Sequence, residues 1–179
     1  MNTTSHTPSR LGIDIGRVII DGPNHPNGGD TAFFSGDEPT MLATPAVTDA
    51  FVAIHDLVQT FASQVWLISK CGPRVQARTR RWLEHHNFYD HTGLNPAHVR
   101  FCLQRVDKRI HCQELEITHL VDDRLDVHEA VRELVPNLYV FGPQRRPIPR
   151  YVLHTPDWPS AADAIHASLR TERDGTCVR

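Results

Sequence analysis

The stretch Leu11-Gly12-Ile13-Asp14-Ile15-Gly16-Arg17-Val18-Ile19-Ile20 decides the fold. A short apolar run that delivers one carboxylate, Asp14, just before a glycine is typical of a buried parallel strand. In an open α/β sheet, ligands bind beyond the carboxyl ends of the strands, so Asp14 is expected to face that crevice. Asp and Gly are also common turn residues, so this stretch alone fits a simple turn equally well.

Length and composition predict one globular domain in an ordinary aqueous environment. The chain has 179 residues, of which 40% are hydrophobic and 22% charged, and its net charge of -2 gives no general attraction to nucleic acid or anionic membranes. We expect the domain at residues 11–170, with flexible tails at 1–10 and 171–179. The polar start and the absence of a membrane-length apolar run predict a cytoplasmic protein without a membrane partner. The 4 cysteines lack CxxC spacing, which favours free thiols.

Apolar runs alternate with helical patterns along the rest of the chain. Strands are predicted at 65–68, 99–103, 117–121 and 138–141, and helices at 45–61, 74–86, from 108, from 127 and at 160–169. Alternation of this kind indicates an α/β fold with a Rossmann-like, doubly wound parallel sheet. The intervals between the strands have no room for a large cap domain. The Gly- and Pro-rich loop 21–43 is the one candidate cover, and its Phe33-Phe34 pair either anchors it or faces a ligand.

Polar residues crowd the ends of the later strands. Ser69 and Lys70 follow the second strand, and Asp122 and Asp123 follow the fourth. Adjacent carboxylates repel one another, and a hard divalent cation with oxygen ligands would relieve that repulsion. Lys108 stands in the first turn of a predicted helix, against the helix dipole, so it is either a solvated surface lysine or part of a phosphate site.

The polar residues at these positions follow the order of four known motifs: Asp14, Ser69, Lys108 and the Asp122-Asp123 pair. Over nearly the whole globular part, the chain resembles the haloacid dehalogenase-like (HAD) hydrolase superfamily, and residues 65–82 with the Asp-Asp ending are similar to deoxyribonucleotidases. The resemblance implies that Asp14 is the nucleophile of a phosphatase or phosphoryl-transfer enzyme. It implies that Ser69 and Lys108 hold the phosphoryl oxygens and that Mg²⁺ is the cofactor. The metal ligands would be Asp14, the Gly16 carbonyl, Asp122 and Asp123.

One position departs from the family pattern. The family carries a second aspartate two residues after the nucleophile, as general acid and base, and this chain has Gly16 there. Acid–base help contributes about 10²–10⁴-fold in rate, so its loss leaves two hypotheses: an enzyme with another proton carrier, such as Lys70 or His25, or a phosphate-binding module without turnover. Arg17 either enters the site to bind substrate, or forms a surface ion pair.

The substrate-binding residues are expected to be Ser69, Lys70, Arg17 and Lys108. Without a large cap, the site would admit a phosphorylated small molecule or nucleotide, or a phosphorylated macromolecule, and a homo-oligomer is compatible with the pattern. The first hairpin is also similar to that of actin-like sugar kinases and chaperones, but those need two large domains. The 12 histidines show no structural zinc spacing, and Cys71 beside Lys70 is either a reactive thiol or a buried apolar residue.

Overall fold

The computed structural model describes residues 8–22, 33 and 36–175. His25, Phe34 and most of the predicted cover loop lie outside these residues. Six strands form one parallel sheet in the order β3-β2-β1-β4-β5-β6. The strands are β1 Leu11–Ile13, β2 Val65–Lys70, β3 Val99–Cys102, β4 His119–Asp122, β5 Asn137–Phe141 and β6 Leu153–Thr155. The predicted α/β fold with a Rossmann-like, doubly wound parallel sheet and no large cap is confirmed for the described chain.

Helices connect the strands. Within the described residues these are α1 Glu38–Leu42, α2 Ala50–Thr60, α3 Pro73–His85, α4 Phe88–Thr92, α5 Lys108–Glu114, α6 Leu125–Val131 and α7 Trp158–Gly175, with a 3₁₀ turn at Pro96–His98. None of these helices combines the length and the apolar character that a membrane crossing requires.

Both faces of the sheet are covered by apolar side chains, as the period of two along each strand requires. Leu67 points to the face packed by α2, α3 and α7, whereas its neighbour Ile68 points to the face packed by α5 and α6. Trp158 at the start of α7 is completely buried and donates from Nε1 to the Val18 carbonyl oxygen at 2.7 Å. This bond ties the last helix to the loop that follows β1.

Two predicted boundaries near the N-terminal half are wrong. The helix expected from Pro45 begins at Ala50, because Ala46 pairs with Ile20 in an antiparallel bridge and the Val47 amide donates to Ile19. The backbone is therefore extended where the Thr-Pro pair resembles a helix start. The predicted loop 21–43 also contains α1, whose N-cap side chain, Asp37, accepts from the Thr40 amide at 2.9 Å.

The C-terminal segment differs from prediction as well. A sixth strand, β6, lies between the predicted strand at 138–141 and the predicted helix at 160–169, where the sequence predicts no strand. The last helix begins at Trp158 and runs to Gly175, beyond the predicted end at 169, and Asp157 rather than Ser160 caps it by accepting from the Ser160 amide. Arg10, assigned to the N-terminal tail, bonds through its backbone to Thr118.

Candidate functional site

The predicted site residues converge at the carboxyl edge of the sheet. Strand β1 lies between β2 and β4, with Ile13 in register with Leu67 on one side and Val121 on the other. The chain that continues from each strand therefore opens on the same cleft, which has a volume of about 200 Å³. Seven predicted residues line it: Asp14, Gly16, Arg17, Ser69, Lys70, Lys108 and Asp123. Asp122 is fully buried beneath it.

Lys108 is the centre of the site. Its Nζ atom lies 2.7 Å from Asp14 Oδ1 and 2.6 Å from Asp122 Oδ2, and only 2% of the lysine is exposed. Burial alone would lower the pKa of Lys108, but the two carboxylates outweigh burial and hold its pKa above the ordinary value. The lysine is therefore a charged, buried member of the site and not a solvated surface residue.

Asp14 reaches the cleft from the end of β1. Burial raises the pKa of Asp14, the Lys108 ammonium opposes that rise, and the Asp122 carboxylate adds to it. The Lys108 contact keeps a negative charge on Asp14 compatible with its buried position.

Arg17 forms an ion pair, as one of its two hypotheses predicts, but this pair lies in the cleft. Its guanidinium lines the cleft, and Nη2 lies 2.6 Å from Asp123 Oδ2, so the ion pair stands at the site itself. Arg17 adopts a left-handed backbone conformation with φ of 62°, which is uncommon outside glycine. Burial, followed by the charges of Asp14 and Asp122, raises the pKa of Asp123 to about 7, although Arg17 lowers it.

The carboxylate cluster fits a hard divalent cation. Asp14, Asp122 and Asp123 each offer one oxygen, and these three atoms lie within 4.8 Å of one another. When all three are ionised, Lys108 and Arg17 stand against three negative charges, which leaves one net negative charge. Among the described residues, this is the one group of three or more His, Cys, Asp or Glu side chains with such an arrangement. Carboxylate oxygens are the ligands that Mg²⁺ prefers.

The end of β2 contributes three consecutive residues with different environments. Ser69 is buried and Lys70 is exposed, and both line the cleft. Cys71 is also buried, and burial, with a further contribution from Asp14, raises the pKa of its thiol to about 11. The neighbouring cations do not compensate, so the environment favours an inert, protonated thiol over a reactive one.

Several lining residues lie outside the predicted catalytic, substrate-binding and metal-binding set. They are Asp21, Phe33, Val75, Thr79, Arg105, Arg124 and Val127. Phe33 is buried in the main apolar cluster, which supports the anchoring hypothesis for this residue. Arg78, on α3, donates from Nε to the Phe33 carbonyl at 2.8 Å and from Nη2 to the Gly36 carbonyl at 2.7 Å. The sequence alone does not distinguish an arginine that bonds to the carbonyls of a distant segment from an arginine that faces solvent.

The histidines outside this site have local partners. Nε2 of His86 lies 2.8 Å from the Leu42 carbonyl oxygen, and Nδ1 of His91 lies 2.8 Å from the Asn87 carbonyl oxygen. No protein-family model matches the chain, and no curated protein sequence matches it. Function therefore has to be argued from the residues of the cleft.

Proposed function

We propose that this chain is a HAD-like hydrolase: a Mg²⁺-dependent phosphatase or phosphoryl-transfer enzyme with Asp14 as its nucleophile. The observation that carries the proposal is the buried contact in which Lys108 bridges Asp14 and Asp122 at the floor of an open cleft. Phosphoryl transfer needs positioning and neutralisation of negative charge more than it needs covalent assistance. This cleft brings the Asp14 carboxylate together with several cationic or hydroxyl groups within one small volume.

The side chains have distinct roles in this proposal. A carboxylate oxygen of Asp14 forms a bond to phosphorus while the bond from phosphorus to the leaving oxygen breaks, and water then hydrolyses the resulting acyl phosphate. Lys108 holds Asp14 in place and faces the phosphoryl oxygens as a fixed positive charge. The Ser69 hydroxyl donates a hydrogen bond to one of those oxygens, and Lys70 and Arg17 contact the substrate at the rim.

Mg²⁺ would be held by the carboxylates of Asp14, Asp122 and Asp123, with the Gly16 carbonyl as a further predicted ligand. When bound, it supplies neutralisation of the charge that the phosphate brings to the carboxylate cluster. The ion pair with Arg17 supports this role for Asp123, because it orients the carboxylate. A nucleotide or another small phosphate ester is the substrate class that the open cleft admits.

One observation favours a second candidate, a phosphate-binding module without turnover. The α-carbon of Gly16 faces open space, since a Cβ atom built there would meet nothing within 4 Å. The position at which the HAD family places its proton carrier therefore has room for a side chain and has none. Binding without hydrolysis is the expected behaviour if no other residue of the cleft transfers the proton.

The experiment measures phosphate release from a broad panel of phosphate esters, with Mg²⁺ and with a chelator, for the native protein and Asp14→Asn. Asp163→Asn, an exposed aspartate on α7, is the matched control because it makes the same chemical change away from the cleft. Mg²⁺-dependent release that Asp14→Asn abolishes and Asp163→Asn retains supports the enzyme. Calorimetric binding of inorganic phosphate without release from any ester supports the binding module. Absence of both overturns the proposal.

A further inference from the structure

A second and larger cleft adjoins the first on the side of the loop that follows β5. Its volume is about 940 Å³, and it shares Arg17, Asp123 and Arg124 with the catalytic cleft. The other lining residues come from the start of α6 and from the loop after β5: Leu125, Asp126, Phe141, Gly142, Pro143, Gln144, Arg145 and Arg146. A molecule bound at Asp14 therefore extends into this cleft without leaving the protein surface.

The second cleft is strongly cationic. Four arginines line it against the two carboxylates of Asp123 and Asp126, which leaves two net positive charges. Arg17 pairs with Asp123, and Arg124 Nε lies 3.4 Å from Asp126 Oδ1. These two arginines therefore already have carboxylate partners. The remaining two arginines of this cleft are Arg145 and Arg146.

Arg145 and Arg146 are both exposed and form no ion pair with any residue that the structure describes. Arg145 and Arg146 are consecutive in the chain and line the same cleft, so an anion bound there is within reach of two positive charges. The guanidinium fork matches phosphate oxygens in geometry as well as in charge.

The loop that carries these two arginines is tied to the catalytic site. Gln144 Nε2 donates to the Asp123 carbonyl oxygen at 3.1 Å and to the Phe141 carbonyl oxygen at 2.9 Å. At the start of the loop, Gly142 adopts φ of 72°, and its carbonyl oxygen lies 2.8 Å from Nε2 of His154. The loop is thus bonded to the backbone of Asp123 and to β6, which places the segment that carries the two arginines beside the carboxylate cluster.

We infer that the substrate carries a second phosphate group, which Arg145 and Arg146 bind while the first phosphate lies at Asp14. This inference rests on the proposed function and specifies its substrate class: a small bisphosphate, in which one molecule carries two phosphate monoesters. A phosphorylated nucleic acid is a poorer match. The chain carries a net charge of -2, and the one aromatic residue that lines the second cleft, Phe141, is buried and gives no base-stacking surface.

The experiment compares matched ligands that differ by one phosphate. Calorimetric dissociation constants are measured for adenosine 5′-monophosphate against adenosine 3′,5′-bisphosphate, and for fructose 6-phosphate against fructose 1,6-bisphosphate. The proteins are the native chain, Arg145→Ala with Arg146→Ala, and the control Arg150→Ala with Arg170→Ala. The control removes two exposed arginines that line neither cleft, so both double variants change the net charge equally.

At least one bisphosphate is expected to bind the native and control proteins tenfold or more tightly than its monophosphate. In Arg145→Ala with Arg146→Ala that ratio is expected to fall towards one. The inference is overturned if neither bisphosphate is preferred, or if the preference survives in this double variant. It is also overturned if a 5′-phosphorylated oligonucleotide binds more tightly than both bisphosphates with an affinity that rises with length.

The same ligands on Asp14→Asn separate this inference from the proposed function. Binding does not require turnover, so a bisphosphate preference that depends on Arg145 and Arg146 supports the second phosphate site even where no phosphate is released. Mg²⁺-dependent release that is equal for monophosphates and bisphosphates has the opposite meaning. It supports the proposed function and overturns the second phosphate site.

Discussion

The Lys108 ammonium lies 2.7 Å from a carboxylate oxygen of Asp14, and both side chains are buried at the floor of the cleft. Lys108 therefore has two roles in the molecule. It orients the proposed nucleophile, and it compensates the charges of Asp14 and Asp122, which the fold places in an environment with little water. Replacing a charged residue of this site is therefore expected to change the stability of the fold.

Replacing Lys108 by Met is expected to destabilise the protein strongly. The variant keeps two buried carboxylates and removes the charge that compensates them, a change that costs about 3–5 kcal/mol in free energy of unfolding at neutral pH. Urea unfolding followed by circular dichroism measures this free energy of unfolding. Lys70→Met is the matched control, because Lys70 is exposed at the same edge of the sheet and should change the free energy of unfolding by less than about 0.5 kcal/mol. Equal effects of the two substitutions would contradict a structural role for the buried lysine.

Introducing a carboxylate at position 16 tests whether the missing proton carrier limits turnover. Gly16→Asp is expected to fold normally, since a Cβ atom there meets nothing within 4 Å and the backbone has no positive φ. Phosphate release in the presence of Mg²⁺ is expected to rise by about 10²-fold, the lower end of typical acid–base contributions. Gly16→Asn serves as the control, because it has nearly the same shape and does not transfer a proton in this way.

Gly12 lacks the tolerance of position 16. A Cβ atom at Gly12 would lie 3.0 Å from Leu120 Cδ1 and 3.1 Å from Ile68 Cδ1, inside the packed face of the sheet. Gly12→Ala is therefore expected to destabilise the fold by about 1–3 kcal/mol through overpacking. If Gly16→Asp lowered the melting temperature as much as Gly12→Ala, the description of an open position at residue 16 would be wrong.

A buried histidine is expected to make stability depend on pH. His119 is completely buried between Thr118 and Ser168, with Nδ1 and Nε2 at 2.8 and 3.0 Å from their hydroxyl oxygens, and burial lowers its pKa to about 4. The unfolded chain takes up a proton near pH 6.5, whereas the folded chain takes it up only near pH 4. The contribution of His119 is therefore complete above pH 6.5 and is lost as the pH falls to about 4, a change of roughly 2–3 kcal/mol.

Free energies of unfolding between pH 7 and pH 4 measure this dependence in the native protein and in His119→Gln. The variant is expected to be less stable at pH 7 and to lose less stability on acidification. His55→Gln, at an exposed position on α2, is the control and should follow the native curve. A native curve and a His119→Gln curve that remain parallel over this range would exclude His119 as the source.

The site residues that the sequence predicts are those whose placement follows from local features. Asp14, Ser69 and Asp122 each stand at or next to the end of an apolar strand, and Lys108 begins a helix. In a parallel sheet such ends share one edge, so their convergence follows from the fold class alone. The predicted fold and the predicted gathering of these side chains therefore have the same physical basis.

The features that the sequence does not predict depend on contacts between distant residues. Thr44-Pro45 has the local form of a helix start, but the bridge from Ile20 to Ala46 keeps this segment extended. Strand β6 has two exposed residues out of three, so it lacks the apolar run that reveals a buried strand. The pairing of Arg17 with Asp123 joins residues 106 positions apart in the chain, and no local pattern indicates it.

Arg78, on the neighbouring helix α3, fixes the segment beside the cleft. Its guanidinium donates to the carbonyl oxygens of Phe33 and Gly36, and Arg78→Ala leaves both carbonyls without this donor. Hydrogen bonds from charged donors contribute about 1.5–3 kcal/mol, so the amides of Met41 and Ala43 in and after α1 are expected to exchange with solvent at least tenfold faster. Hydrogen–deuterium exchange measures these rates. Arg74→Ala, an exposed arginine on the same helix, should leave them unchanged, and equal rates in the two variants would mean that Arg78 does not hold this segment.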